Sequence, residues 1–364
     1  MKKIQWLTDA CFIDVDLPIV PELSKYYNIT WYIVLHKKDQ IDYKALIKKQ
    51  CNNIKNNIEF IYIQNRISNP LILNEYMKII RKTQTKDADI IYYNITGIPY
   101  LFSAFYPFIN KKKTIIALHN VTTPKGASLY HLAKAYTWFT RKVFSNFHVF
   151  SQNQFNLLNQ ITYNKNILYA PLALKDFGES NTLKASLVTF LFFGYIREYK
   201  RVDILIKAAQ RAYEQTHKLF KVSIAGSCNN WSAYQALIQY PQLFDLNIRS
   251  ISNEEIPNIF GSAHYFVMPY QSIAQSGAMA VSLHYNLPII ASDLPTFREF
   301  IEDGENGYFM KRNDVESLSQ IMINVLEEGT ASYQEMCQKQ KEFVNKKLSL
   351  ESIIQKYQNY FDNL

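Results

Sequence analysis

From near its start to its end the chain alternates short apolar runs, rich in β-branched and aromatic residues, with longer stretches of helical period. Ile4–Leu7, Trp31–Leu35, Phe60–Ile63, Ile90–Tyr93, Thr114–Leu118, Val149–Ser151 and Ile167–Tyr169 read as strands, and helical patterns lie between most of them. That rhythm is the signature of parallel βαβ units. A polar, turn-rich segment, Lys175–Ser186, then interrupts it and marks a hinge. Strands resume at Val188–Phe193, Val222–Ala225, Tyr265–Met268 and Ile289–Ala291. The run LVTFLFFG suits a strand buried on both faces. Helices are expected at Val202–Gln215, Glu254–Phe260, Gly277–Tyr285, Val315–Glu328 and Glu351–Phe361.

At 364 residues the chain is longer than one hydrophobic core usually serves. The expected organisation is therefore two doubly wound α/β domains, 1–180 and 181–348, followed by a terminal helix in 349–364 that places Ile354, Tyr357 and Phe361 on one face. Two such domains facing across a cleft would turn strand carboxyl ends and helix N-termini into the gap, where anionic ligands bind readily.

Composition narrows the class. A hydrophobic share of 48% can fill sizeable cores. Cys11, Cys51, Cys228 and Cys337 lie far apart with no CxxC pair, which points away from a disulfide framework or a zinc site and toward a reducing compartment. Acidic residues enter MKKIQWLTDACFIDVD before an apolar region of secretory length can form, so no signal peptide is expected. The charge-free stretch Ile90–Asn110 carries Asn94, Thr96, Gly97, Pro99, Ser103 and Pro107, too polar for a membrane span, and reads as strand, loop and short helix.

The net charge of +9 is unevenly shared: residues 1–180 hold 23 Lys and Arg against 12 Asp and Glu, and the remainder 17 against 19. Between Asp89 and Asp176 there is no carboxylate, yet Lys111, Lys112, Lys113, Lys125, Lys134, Arg141, Lys142, Lys165 and Lys175 fall there. An anionic partner is expected. Leu129–Phe147 interleaves Lys134, Arg141 and Lys142 with Tyr130, Tyr136, Trp138, Phe139, Phe144 and Phe147, a pattern suited to an anionic bilayer surface and equally to a core-packed helix with solvated lysines. Nucleic acid is not expected, for no RNP-like aromatic motif, zinc finger or Walker loop is present.

Three clusters in the second half carry the chemistry: GYIREYKRVDILIKA (Gly194–Ala208), SNEEIPNIFGSAHYFVMPYQSIAQSGAMAVSLHYNLPIIASD (Ser252–Asp293) and FREFIEDGENGYF (Phe297–Phe309). Arg197 and Lys200 follow a strand ending at Gly194 and are placed to hold a diphosphate. Gln275, Ser276 and Gly277 follow an apolar strand and open a helix, with Ser276 a candidate N-cap and Gly277 permitting close approach of phosphate to backbone amides. The bland alternatives are a surface lysine and an ordinary capped helix.

In their order and spacing these clusters resemble the retaining, nucleotide-sugar-dependent glycosyltransferases of the GT-B fold, family 4, in a branch with FFGxIRxYK and PYxSxxQSG motifs. The resemblance covers about half the chain. It implies two Rossmann-like domains facing a cleft, with the C-terminal helix crossing back onto the first. It implies donor contacts from Arg197, Lys200, Gln275, Ser276, Gly277 and Glu299, and places His119, in Leu118-His119-Asn120, where the family shows a histidine facing the donor sugar. No cofactor and no metal are implied, the nucleotide-sugar being a substrate; Asp14-Val15-Asp16 matches a DxD only by letters. Asp9, Asp14 and Asp16 instead stand where acceptor or donor hydroxyls are expected. The chain departs from the family at two glutamates eight positions apart, which the spacing from Pro288 puts near Ile273 and at Val281, and at Tyr195 and Arg201 in place of Arg and Gly.

The reading is a hexosyltransferase-type enzyme moving a sugar from a nucleotide-sugar to a glycan or lipid-linked acceptor in polysaccharide or glycolipid assembly, cytoplasmic and peripheral at the inner membrane face. The rivals are a catalytically inactive sugar-nucleotide or glycan-binding module, motivated by Ile273 and Val281, and a nucleotide-sugar epimerase.

Overall fold

The computed structural model describes residues 1–36, 47, 57–66, 69–95, 105–123 and 130–364. Cys51, Lys125, Leu129 and residues 96–104 of the charge-free stretch lie outside them. The chain divides into two compact units, Met1–Ala173 with Leu350–Leu364, and Leu174–Ser349.

The first unit is built on seven parallel strands: β1 (Lys3–Asp9), β2 (Asn28–His36), β3 (Ile58–Ile63), β4 (Ile90–Asn94), β5 (Thr114–Leu118), β6 (Asn146–Val149) and β7 (Asn166–Tyr169), in the order β3-β2-β1-β4-β5-β6-β7. Ile4 lies beside Ile29 on one side and Ile90 on the other. Both faces of β1 are covered: Ile4 through Asp9 are buried, the polar Gln5, Thr8 and Asp9 among them. The helix Leu350–Asp362 returns to this unit: Ile353, Ile354, Tyr357 and Phe361 are buried with Trp6, Tyr27 and Tyr92 around them. Tyr27 Oη donates to Asp362 Oδ1 at 2.8 Å and Tyr360 Oη to Asn166 O at 2.9 Å.

The second unit holds six parallel strands, β8 (Thr189–Phe193), β9 (Lys221–Ala225), β10 (Phe244–Asn247), β11 (Tyr265–Met268), β12 (Ile289–Ser292) and β13 (Gly307–Met310), ordered β10-β9-β8-β11-β12-β13. Each sheet therefore runs outward in both directions from its first strand, the doubly wound order. The long helix Val315–Lys347 is broken at Gly329, whose φ of 79° leaves the helical region, so the helix expected over Val315–Glu328 is its first segment.

Two expectations are corrected. The strand read at Val149–Ser151 begins at Asn146, and the helix read through Phe147 ends at Val143. Asn146 Nδ2 donates to Lys112 O at 2.8 Å beside the start of β5, and β6 pairs with β5 and β7. Phe144 and Phe147 are thereby wholly buried in the sheet's core instead of lying on a helix surface.

Candidate functional site

In an open parallel sheet, ligands settle beyond the carboxyl ends of the strands where the winding direction reverses. In the second unit that point lies between β8 and β11, which neighbour each other. Gly194 follows β8 with φ 109°, a left-handed conformation that suits glycine. The turn carries Lys200 back toward β8, and its Nζ lies 3.2 Å from where a Cβ on Gly194 would stand. The same ammonium lies 5.7 Å from the centroid of the Phe192 ring and 5.5 Å from that of Tyr270.

Burial, with the Arg197 charge adding to it, brings the Lys200 ammonium down from its ordinary value to about 8. No carboxylate among the described residues pairs with it. A half-buried cation with ring quadrupoles and a second cation around it, and no carboxylate among the described residues, is under-compensated, and an anion is the ligand that would satisfy it.

The loops that flank this ammonium are tied together. Gln271 N donates to Tyr199 O at 2.7 Å, and Thr296 Oγ1 donates to Ile273 O at 3.1 Å. The first bond joins the Lys200 turn to the loop bearing Gln275, and the second joins that loop to the single 3-10 turn Phe297–Glu299. Gln275 and Glu299 are half-buried. Ser276 is buried and caps the helix Gly277–His284, its hydroxyl accepting from Met279 N at 3.2 Å. Its side chain is thus engaged in the cap, which typically contributes about 1 kcal/mol, and the backbone amides around Gly277 are the groups there that could donate to an anion.

A Cβ on Gly277 would stand 3.0 Å from Lys175 Nζ. Lys175 thus brings a second cation to this helix start, held by its own amide donating to Ala280 O. In the sequence Lys175 ends the acid-free stretch and opens the polar hinge segment, and nothing local links it to a glycine so distant in the chain. Of the two arginines near Lys200, Arg201 is spent: its guanidinium forks onto Asp203 with two bonds of 2.9 Å and also reaches Asn313. Arg197 is exposed, its guanidinium 5.1 Å from the Tyr195 ring centroid. Ile273 and Val281, where the resembling family has glutamates, pack against the apolar core.

In the first unit His119 follows β5 and is 6% exposed. Phe12 stacks on one side at 3.8 Å between centroids and Phe150 on the other at 4.6 Å. Its Nε2 lies 2.7 Å from Asn94 Oδ1, beside the carboxyl end of β4. Asp16 is turned inward, where Trp6, Thr8 and Asn94 donate to it, so its carboxylate is not a surface group for a hydroxyl. Burial pushes its pKa up to about 7. His148 is structural: burial drives it down to about 3, and it sits between Tyr92 Oη at 2.5 Å and Ala170 O at 3.0 Å.

Residues 188–328 match the family model for glycosyl transferases, group 1, a span that includes Arg197, Lys200, Gln275, Ser276, Gly277 and Glu299. No curated protein is similar enough in sequence to match. Among solved structures, HepE from Anabaena in complex with UDP and glucose is 15% identical, with a TM-score of 0.72 over 100% of both chains. A glycosyltransferase from Rickettsia africae is 14% identical, with a TM-score of 0.75 over 100% of this chain and 98% of that one. A variant of S. aureus TarM in complex with fondaparinux, alpha-GlcNAc-glycerol and UDP is 13% identical, with a TM-score of 0.70 over 100% of both chains. The fold is that of GT-B glycosyltransferases, with two Rossmann-like units, and the second unit carries the group 1 glycosyltransferase signature.

Proposed function

We propose that the chain is a retaining glycosyltransferase of family 4 that moves a sugar from a nucleotide-sugar donor to a glycan or lipid-linked glycan acceptor in polysaccharide or glycolipid assembly. The observation that carries this reading is the Lys200 ammonium, half-buried beside Gly194 and without a carboxylate partner among the described residues, within the span matched as group 1 glycosyltransferase. Lys200 and Arg197 hold the donor's diphosphate and stabilise the charge that grows on it as the sugar departs. The amides around Gly277 add oriented donors, while Gln275 and Glu299 contact the rest of the donor. His119 acts on a sugar or acceptor hydroxyl. Two of the neighbouring structures named above hold UDP together with a sugar or a glycan, which supports the same ligand class here. The test is product analysis by mass spectrometry after incubation with a panel of nucleoside diphosphate sugars and lipid-linked acceptors. Donor-dependent glycosylation supports the reading, and neither transfer nor donor hydrolysis across the panel refutes it.

The packing of Ile273 and Val281 where glutamates are expected favours one alternative, an inactive module that binds a sugar nucleotide. Binding without turnover would select it.

A membrane surface forms the second part of the proposal. On the helix Tyr130–Val143, His131, Lys134, Ala135, Trp138 and Lys142 are exposed, a spacing that lines one face. Trp138 is 55% exposed. Rings and lysines on one outward face suit headgroup-level docking at the inner leaflet. No helix among the described residues is long and apolar enough to cross a membrane. Sedimentation with phosphatidylglycerol vesicles is expected to be lost in Lys134→Gln/Lys142→Gln/Trp138→Ala, and unchanged sedimentation would remove this part of the proposal.

A further inference from the structure

Beneath His119 runs a buried chain of polar groups that the proposed chemistry does not itself require. Asn94 Nδ2 lies 2.9 Å from Asp16 Oδ1, and Asn94 Oδ1 lies 2.7 Å from His119 Nε2. Asp16 Oδ2 accepts from Trp6 Nε1 at 3.0 Å and from Thr8 Oγ1 at 2.6 Å. Thr8 Oγ1 accepts in turn from Trp31 Nε1 at 2.7 Å. Asp16, Asn94, Thr8, Trp6 and Trp31 are all fully or almost fully buried.

The hydrogens of this chain can be assigned by elimination. An indole N–H only donates. Trp31 therefore fixes Thr8 Oγ1 as its acceptor, and the Thr8 hydroxyl hydrogen goes on to Asp16. Above pH 7 the Asp16 carboxylate is ionised and only accepts, so the amide of Asn94 must present its NH2 to Asp16. Its carbonyl oxygen then faces His119, and a carbonyl can only accept. We propose that Asp16, acting through Asn94, is a positioning residue that holds a hydrogen on His119 Nε2 and makes Nδ1 the acceptor nitrogen of the neutral ring. The two phenylalanine faces hold the plane of the imidazole, and the Asn94–Asp16 pair decides which of its nitrogens is basic.

The catalytic meaning of this arrangement rests on the proposed role of His119, because only one nitrogen of a neutral imidazole takes a proton from a hydroxyl. The tautomer itself does not rest on that role and is measured separately. The ring nitrogens are read from a long-range proton–nitrogen correlation spectrum of the 15N-labelled full chain at pH 8.5, with His119 identified by its loss in His119→Gln. The native protein is expected to show a pyrrole-type Nε2 and a pyridine-type Nδ1. Asp16→Asn turns the relay around: its new amide donates to Asn94 Oδ1, Asn94 offers NH2 to His119, and the spectrum reverses to a pyrrole-type Nδ1. If Asp16→Asn does not fold, Asn94→Leu interrupts the same relay, and loss of the pyrrole-type Nε2 signal is expected instead.

A native spectrum with hydrogen on Nδ1 would overturn the proposal outright. A folded Asp16→Asn or Asn94→Leu protein with an unchanged His119 spectrum would also overturn it, because the relay would not then set the tautomer. Undiminished turnover in His119→Ala retires the catalytic reading of that residue and leaves the tautomer assignment to the spectrum.

Discussion

The Lys200 ammonium lies 5.5 Å from the centroid of the Tyr270 ring, so the loop that follows β8 and the loop that follows β11 meet at the point where the second sheet reverses its winding. Two aromatic faces weakly stabilise the cation and its surroundings exclude water from it. Lys200→Met keeps most of the buried stem and removes the charge. Nucleoside diphosphate affinity is expected to fall about 10- to 100-fold, the loss of a hydrogen bond to a charged group of about 1.5–3 kcal/mol. Titration calorimetry with UDP and GDP reads this, and melting should not fall. Unaltered affinity would remove Lys200 from the site.

The same lysine gives binding a pH dependence. In the free protein its ammonium titrates near 8, lowered first by burial and then by Arg197. A bound diphosphate favours the charged form and moves the value back up, so binding takes up protons between the two values. Affinity is therefore expected to weaken as pH rises through 8. Proton uptake, measured at pH 8.5 in buffers of different ionisation enthalpy, should vanish in Lys200→Met. Equal uptake in both proteins would contradict this.

Gly277 separates binding from stability. A Cβ there meets the flexible end of Lys175 at 3.0 Å, which yields readily, while alanine stiffens the unfolded chain. Gly277→Ala is expected to melt at the same temperature or slightly higher. It should nevertheless bind nucleoside diphosphates several-fold more weakly, because the added methyl occupies the approach to the helix amides. Weaker binding accompanied by a lower melting temperature would mean that the glycine serves the fold.

Asp16 contributes a slope to stability. Its carboxyl titrates at about 7 in the folded protein, raised chiefly by burial and slightly by Asp14, against an ordinary value of 3.8. Trp6, Thr8 and Asn94 oppose the rise, and Tyr92 and Tyr357 also face the group. The folded state keeps the proton that the unfolded state releases, so this stabilisation is fully present below about 4 and is lost as pH climbs through 7. Relative to Asp16→Asn, the native protein should lose urea midpoint from pH 4.5 to 7 and then level off. A constant difference over that range would be inconsistent with a buried, titrating Asp16.

Much of the fold was legible because parallel strands announce themselves. Thr114–Leu118 and Tyr265–Met268 coincide with β5 and β11, since both lie inside their sheets, buried at every residue and apolar at all but Thr114. The strands missed, Phe244–Asn247 and Gly307–Met310, are the two edges of the second sheet, where burial is partial and the apolar signal thins. The Leu129–Phe147 stretch was misread because its aromatic residues fit helix and strand equally. Asn146, an uncommon strand residue, is there to bond the Lys112 carbonyl. In the candidate site, Lys200 and Ser276 stand beside local turn and capping signals that a sequence displays. Lys175 beside Gly277, and Asp16 beneath Asn94, are juxtapositions made by the sheet and leave no local trace.

In the proposed enzyme the second unit holds the donor's diphosphate beside Gly194 and Gly277. The position of UDP or GDP in crystals of the full chain tests it most directly. Diphosphate oxygens within hydrogen-bond distance of Lys200 Nζ and of the backbone amides around Gly277 are the predicted result. A nucleotide bound elsewhere, with Lys200 still facing only Phe192 and Tyr270, would contradict it.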